Sequence, residues 1–243
     1  MNYFSFYNTN EHTVRGEFNS WRSRPAFTLV ELLVVITIIG VLLTVGALGL
    51  KNLSKSSGVT AAVPIAEAVF AEARGVSGGT GGTSRVLISA DRDDDERYLR
   101  YMMVVSQSES GKWVAASRGI YLPKGVFMSQ EYSFLDHASQ SSEVPSESHE
   151  IFSSDDSSSS NNNLSGNYFY YQFNSEGNAA DPGASFVLGT GNKPPGADAP
   201  KVTASSGVSN FGGFIIWKKG TTSVFRHPDQ MNIPDGIDAG DDF

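Results

Sequence analysis

The chain has 243 residues, a formal net charge of -8 and no cysteine. That length suits one domain of moderate size with extensions, able to bury a core without disulfide staples. The missing cysteines exclude thiol catalysis, cysteine-bound zinc and iron–sulfur clusters. The acidic balance argues against nucleic acid as a partner, because phosphate binding needs clustered Lys and Arg. Gly and Ser are plentiful and only 18% of residues are charged, which fits a β-rich exported domain with long loops better than a helical bundle. An exported fold without Cys must hold by packing alone.

In chain order the first element is a polar leader, residues 1–26, with Arg15, Arg22 and Arg24 ahead of the next segment. An apolar run follows over residues 27–50, FTLVELLVVITIIGVLLTVGALGL, in which Glu31 is the one charge and proline is absent. As a helix rising ~1.5 Å per residue this run reaches about 36 Å, enough to cross the hydrocarbon core of a bilayer. Lys51 and Lys55 follow it, so the charge comparison only slightly favours the leader as the cytoplasmic side. A secretory signal peptide would place its small cleavage residue after a shorter apolar region; here Ala26 precedes the run. A carboxylate within such a span costs about 2.5–3.5 kcal/mol on insertion scales, so Glu31 either finds a partner or snorkels to the interface. Gly40, Gly46 and Gly49 allow close helix approach, though glycine is also simply frequent in membrane helices.

The stretch Arg24-Pro25-Ala26-Phe27-Thr28-Leu29-Val30-Glu31-Leu32-Leu33-Val34-Val35-Ile36 resembles the prepilin cleavage and methylation motif shared by type IV pilins and type II secretion pseudopilins. The resemblance implies that a prepilin peptidase cuts between Ala26 and Phe27 on the cytoplasmic side and methylates the new Phe27 amine. It implies that Glu31 pairs with the Phe27 amine of a neighbouring subunit and sets subunit register. The implied partners are the prepilin peptidase, other pilins or pseudopilins, an inner-membrane assembly platform and the lipid bilayer. The implied location is the bacterial inner membrane, crossed once, with a periplasmic globular domain that enters a periplasmic or extracellular filament. One departure from the family pattern is Ala26, where Gly is usual; Ala is the next smallest residue.

Residues 51–76 read as an extramembrane helix, weakened at Ser56-Ser57-Gly58 and kinked or restarted at Pro64, which lacks a backbone donor. Its apolar face is Ala62, Ile65, Ala66, Val69, Ala73 and Val76. The following GVSGGTGG, residues 75–82, is not a phosphate loop. It leads from helix to strand, with no Gly-Lys-Ser/Thr after it, and reads as a mobile connection.

Residues 77–243 read as a β-rich domain. Short β-prone runs cover 85–89, 98–105, 113–117, 119–122, 126–128, 168–173, 185–188, 213–218 and 223–226, spaced for an antiparallel sheet with hairpins. Leu99, Tyr101, Met103 and Val105 share one face of their run, but Tyr98, Met102 and Val104 occupy the other. A Ser- and Asn-rich stretch, about 129–166, has only Val144, Ile151 and Phe152 as larger apolar side chains in its core, residues 139–163. It reads as a disordered insertion, with too little apolar surface to offset ordering.

A second resemblance, to the GspH/FimT group of minor pseudopilins, rests on three pieces. They are Ala68-Val69-Phe70-Ala71-Glu72-Ala73-Arg74 before the first strand, Gly119-Ile120-Tyr121-Leu122-Pro123-Lys124-Gly125-Val126, and Tyr171-Gln172-Phe173-Asn174-Ser175-Glu176-Gly177 before Phe186-Val187-Leu188. The fold expected is α+β and pilin-like: a long N-terminal transmembrane helix continuing into a helix packed on an antiparallel β-sheet.

Chemistry-bearing patterns are sparse. His12, His137, His149 and His227 lack metal-pair spacing, no Gly-x-Ser-x-Gly elbow occurs, and neither cofactor nor catalytic constellation is expected. Asp91, Asp93, Asp94, Asp95 and Glu96 form one acidic cluster, and Asp235, Asp238, Asp241 and Asp242 another. Both are weak calcium candidates, lacking the Gly and terminal Glu of a calcium loop, and read as a solvated turn and an acidic tail. The function expected is structural and not enzymatic: a minor pseudopilin in a type II secretion pseudopilus or a type IV pilus. The alternative is a membrane-anchored binding or adhesion protein that carries a pilin-type anchor.

Overall fold

The computed structural model describes residues 28–194, 196–202, 211–226 and 228–233, with backbone alone for 41–57 and 228. The fold is mixed α+β. Helix α1 runs Leu29–Thr80. The strands are β1 Ser84–Ser89, β2 Tyr101–Gln107, β3 Trp113–Ala115, β4 Ile120–Tyr121, β5 Val126–Met128, β6 Phe134–Asp136 and β7 Ser141–Glu143. They continue as β8 Ser146–His149, β9 Ile151–Phe152, β10 Gly166–Phe173, β11 Ala184–Asn192, β12 Lys201–Val202, β13 Phe211–Ile216 and β14 Thr222–Val224, before a 3₁₀ turn at Pro228–Met231. Each of the nine β-prone runs of the sequence overlaps a strand, although Tyr98–Arg100 form a turn ahead of β2. The chain divides into two compact units, Met1–Ala47 and Leu48–Phe243.

In the second unit α1 buries Val59, Ala62, Val63, Ala66, Val69, Phe70 and Ala73, a stripe at three- and four-residue spacing. Four of the six expected face residues are buried and Val76 is partly so. Ile65 is exposed instead, and Phe70, absent from the expected face, is fully buried. On a wheel of 100° per residue, Ile65 falls at the stripe's edge while Phe70 falls inside it. Pro64 neither ends nor restarts the helix, and it lies on the exposed side. The glycine-rich 75–82 segment is mostly helix rather than a mobile connection. Gly81, at φ 69°, caps α1 by donating from its N–H to Ser77 O at 2.9 Å, the left-handed stop that glycine favours.

Two sheets cover this helix. One runs β8-β10-β1-β2-β3-β9 with β4 beside β2; the other runs β12-β11-β13-β14 with β5 beside β11. Phe70 touches both. Its ring centroid lies 5.1 Å from Tyr171 on β10, 5.2 Å from Phe186 on β11 and 5.1 Å from Phe214 on β13.

The first sheet is closed. Only Glu150 separates β8 from β9, so His149 and Ile151 are at most ~7.6 Å apart along the backbone. Yet β8 and β9 stand at opposite ends of the hydrogen-bonded order, five strand spacings or about 24 Å apart in a flat sheet. The sheet must therefore curl until its edges meet, and residues 146–152 bridge them, antiparallel to β10 and parallel to β3. The barrel so formed has its own interior of Leu87, Tyr101, Met103, Val105, Ile151 and Tyr168. Alternate residues Val86, Ile88, Met102, Val104 and Tyr171 face the other way, into the core under α1. Burial on both faces explains why alternation over 98–105 is weak in the sequence. Leu99 leaves that alternation, at φ 55° and packed in the helix-side core.

The 129–166 stretch is not a disordered insertion. It holds β6 to β9, buries Tyr132, Val144 and Ile151, and bonds to β11 through Val187 N–H donating to Ser133 Oγ at 3.0 Å. Average composition underrates it because three well-placed apolar anchors and three strand pairings supply what a general apolar content does not.

Gly119 has φ 76°, and a Cβ there would collide with the Tyr101 hydroxyl and lie 2.6 Å from its Cζ and 2.9 Å from Met102 O. The left-handed backbone alone costs an alanine about 1–3 kcal/mol. Gly119→Ala is therefore expected to destabilise the domain by about 2–4 kcal/mol once the overlap is added, read as a lower urea midpoint at unchanged slope.

Candidate functional site

The first unit presents the start of α1. Thr28 precedes the helix, and its N–H and Oγ1 both donate to Glu31 Oε2 at 2.9 Å. Glu31 N–H donates back to Thr28 Oγ1 at 3.2 Å. This is a reciprocal capping box, in which Thr at the N-cap and Glu three residues on satisfy each other's backbone donors. The Thr-x-x-Glu spacing was visible in the sequence, yet Thr28 does not emerge there as Glu31's partner. Around the cap, every residue from 29 to 40 is exposed, including Leu29, Val30, Leu32, Leu33, Ile36 and Ile38. Thr37 turns its hydroxyl inward, donating to Val34 O at 2.8 Å, so it adds no unpaired donor to this apolar surface. A contiguous apolar surface of this kind is not a free surface in water; it calls for lipid or other helices.

Ala26 and Phe27 lie outside the described residues, as do the side chains of 41–50. Among the described residues no helix is long and apolar enough to cross a membrane.

The calcium candidates part company. Asp91 Oδ1 accepts from Asp93 N–H at 3.1 Å, and Asp94 Oδ1 accepts from Glu96 and Arg97 N–H at 3.1 Å. Asp95 pairs with Lys193, whose ammonium also donates to Arg92 O at 2.6 Å and lies 5.0 Å from the Tyr98 ring. The cation within this loop is thus a lysine supplied from the end of β11. No sequence signal ties Lys193 to residues about a hundred positions earlier. Asp235 and Asp238 lie outside the described residues. Among the described residues no group of three or more His, Asp or Glu side chains is placed to share a metal.

Two histidines expected in or beside disorder are buried. His137 lies with Nε2 2.7 Å from Gln230 O, tying the β6–β7 hairpin to the 3₁₀ turn. His149 sits at one mouth of the barrel beside Arg85. The Arg85 guanidinium is sandwiched between Tyr170 and Trp113, 4.0 and 4.5 Å from their centroids. It donates to Gln172 Oε1 at 2.9 Å and to Glu147 Oε2 at 2.8 Å. At the other end Arg97 stacks on Tyr101 and donates to Tyr168 Oη and Asn163 O, both at 2.8 Å. The barrel is thus stoppered at both ends by arginine. Burial, foremost, and the nearby Arg85 charge hold the His149 imidazole below its ordinary range, against the opposing pull of Glu147.

Residues 21–47 match the family model of the prokaryotic N-terminal methylation motif. No curated protein and no solved structure matches the chain. The matched motif points to a precursor of the type IV pilin and pseudopilin kind, processed by a prepilin peptidase and assembling with other pilins.

Proposed function

We propose that this chain, whose first helix opens within a prokaryotic N-terminal methylation motif, is a minor pseudopilin: a non-enzymatic filament subunit of a type II secretion pseudopilus or a type IV pilus. The observation that carries the reading is the order of groups at the start of α1. Small Ala26 is followed by Phe27, the Thr28 cap, Glu31, and a helical stretch whose residues 29–40 are all exposed and, apart from Glu31 and Thr37, apolar. The prepilin peptidase cuts between Ala26 and Phe27 and methylates Phe27. The peptide bond lost is the one before Phe27, so the Thr28–Glu31 cap survives and the mature helix begins already capped. The 27–50 helix anchors the protein in the inner membrane, with the β-rich domain on the periplasmic side, until an assembly platform moves it into the filament. The Tyr171–Gly177 piece that carries the GspH/FimT resemblance ends in a tight turn. Asn174 Oδ1 accepts from Glu176 and Asn178 N–H at 3.0 and 2.9 Å. This turn sets Gly177 so close to α1 that a Cβ would lie 3.2 Å from Arg74 O.

Mature protein is expected to start at Phe27. The leader carries Arg15, Arg22 and Arg24 against Glu11 and Glu17, a formal +1, so its removal takes the chain from -8 to -9. Intact mass and N-terminal sequencing of membrane-extracted protein check this. A chain that keeps Met1 in cells with an active prepilin peptidase would refute the reading. Ala26→Glu is expected to block maturation, since a bulky charge does not enter a site shaped for a small side chain.

A further inference from the structure

We propose that residues 146–152 are an acid-released latch: at neutral pH they close the β-barrel, and protonation of His149 lets them leave it. The closing strand is built to depart alone. None of its residues belongs to the core under α1. Its apolar anchors are Ile151, inside the barrel, and Phe152, half-buried with Lys112 5.1 Å from its ring. The segment after it, SSDDSSSSNNN over residues 153–163, has no apolar side chain. That segment is polar throughout and is held by exposed hydrogen bonds: Ser110 Oγ donates to Asp155 Oδ1 at 2.6 Å, Lys112 Nζ to Asp155 O at 2.8 Å and Arg97 to Asn163 O at 2.8 Å. Water replaces these at small net cost, and lengthening an open loop adds little entropy cost.

His149 is the wedge in the closed state. It is 2% exposed. Its Nε2 lies 2.9 Å from Arg85 Nη1, and its Nδ1 lies 3.0 Å from Glu147 O. A guanidinium has only donors, so Nε2 must accept from Arg85, and the ring proton sits on Nδ1, donating to Glu147 O. A second proton on Nε2 turns the acceptor into a donor and sets two cations in contact. Arg85 cannot give up its own proton at these pH values, nor swing aside from between Trp113 and Tyr170. The groups facing the imidazole are Arg85 from β1, Trp113 from β3, Tyr168 and Tyr170 from β10, and Glu147 from its own strand. Glu147 is the one carboxylate among them, half-exposed and already paired with Arg85. It does not neutralise a second cation beside the first.

The sign follows. In the released strand His149 meets water and titrates near its ordinary value of about 6.5; in the closed barrel it titrates lower. The open form therefore binds more protons between the two values. Closure is fully favoured above about pH 6.5 and weakens as pH falls towards the closed-state value.

The experiment is backbone hydrogen exchange on the full chain in detergent micelles, at about pH 7.5 and about pH 5.0, corrected for intrinsic exchange. Amides pairing 146–152 with β10 and β3 are expected to lose protection by up to about tenfold per pH unit below about 6.5, while β11 and β13 keep theirs. His149→Gln, whose amide oxygen accepts from Arg85 without titrating, is expected to remove that dependence. Should this variant not fold, NMR titration of the wild-type imidazoles replaces it, and the release midpoint must follow His149 and not His137. Equal protection at both pH values overturns the latch. So does a release that His149→Gln retains, or a loss shared by β11 and β13, which is global unfolding.

Discussion

Phe70→Ala is expected to lower the stability of the β-rich unit by about 3–5 kcal/mol, the usual result of truncating a fully buried aromatic ring. The measurement is urea unfolding of the detergent-solubilised chain, with the midpoint falling and the slope unchanged. The size of the effect comes from where the ring sits. Phe70 is fully buried and makes edge or tilted contacts with Tyr171, Phe173, Phe186 and Phe214. Those four rings belong to β10, β11 and β13, so one side chain joins the helix to both sheets. Aromatic pairs of this geometry add about 0.5–1.5 kcal/mol beyond area burial, and the surrounding β-sheet backbone cannot collapse into the void. Ile65→Ala, five residues earlier on the exposed side, is expected to change stability by no more than about 0.5 kcal/mol. Equal effects at the two positions would mean that α1 does not dock on the sheets through the Phe70 face.

The sequence makes some parts of this molecule legible and hides others for identifiable reasons. Strands such as Arg85 to Ser89 and Tyr168 to Phe173 stand out because β-branched and aromatic residues are bounded by turn formers, a local signal. The closing strand 146–152 does not, because most of its residues are Ser, Glu and His. Its place depends on hydrogen bonds to β10 and β3, and on Ile151 filling a barrel that exists only once the sheet curls. The two-core arrangement is equally non-local: Leu87 and Ile88 look alike in the sequence and end in different cores. The methylation motif at the start of α1 is readable because it lies in one contiguous run, and the Thr28–Glu31 cap inside it needs only a three-residue spacing. Arg85 and His149 are 64 positions apart on different strands, and no periodicity joins them. Lys193 and Asp95 are hidden for the same reason.

The last expected result concerns Glu31, and the capping box sharpens it. On the proposed reading, the Glu31 carboxylate pairs with the Phe27 amine of a neighbouring subunit. Its Oε2 also accepts from Thr28 within its own chain. Glutamine serves the third helical position of a capping box as glutamate does, so Glu31→Gln keeps the helix start and removes only the charge. An amide also enters lipid more readily than a carboxylate. Membrane insertion and cleavage between Ala26 and Phe27 are therefore expected to stay near normal. Assembly is expected to fall sharply, because the neighbour's amine is left charged and unpaired in a low-dielectric bundle. Removing one partner of such a buried pair typically costs roughly 3–5 kcal/mol. Crosslinking of the variant to the major subunit, at matched levels of mature protein, measures this. Thr28→Val separates the two roles: it weakens the cap by removing a hydroxyl while the charge remains, so crosslinking is expected to persist. Loss in Thr28→Val with persistence in Glu31→Gln would reverse the assignment. Glu31 would then serve as a helix cap alone, and the pairing that sets subunit register would lie elsewhere in the chain.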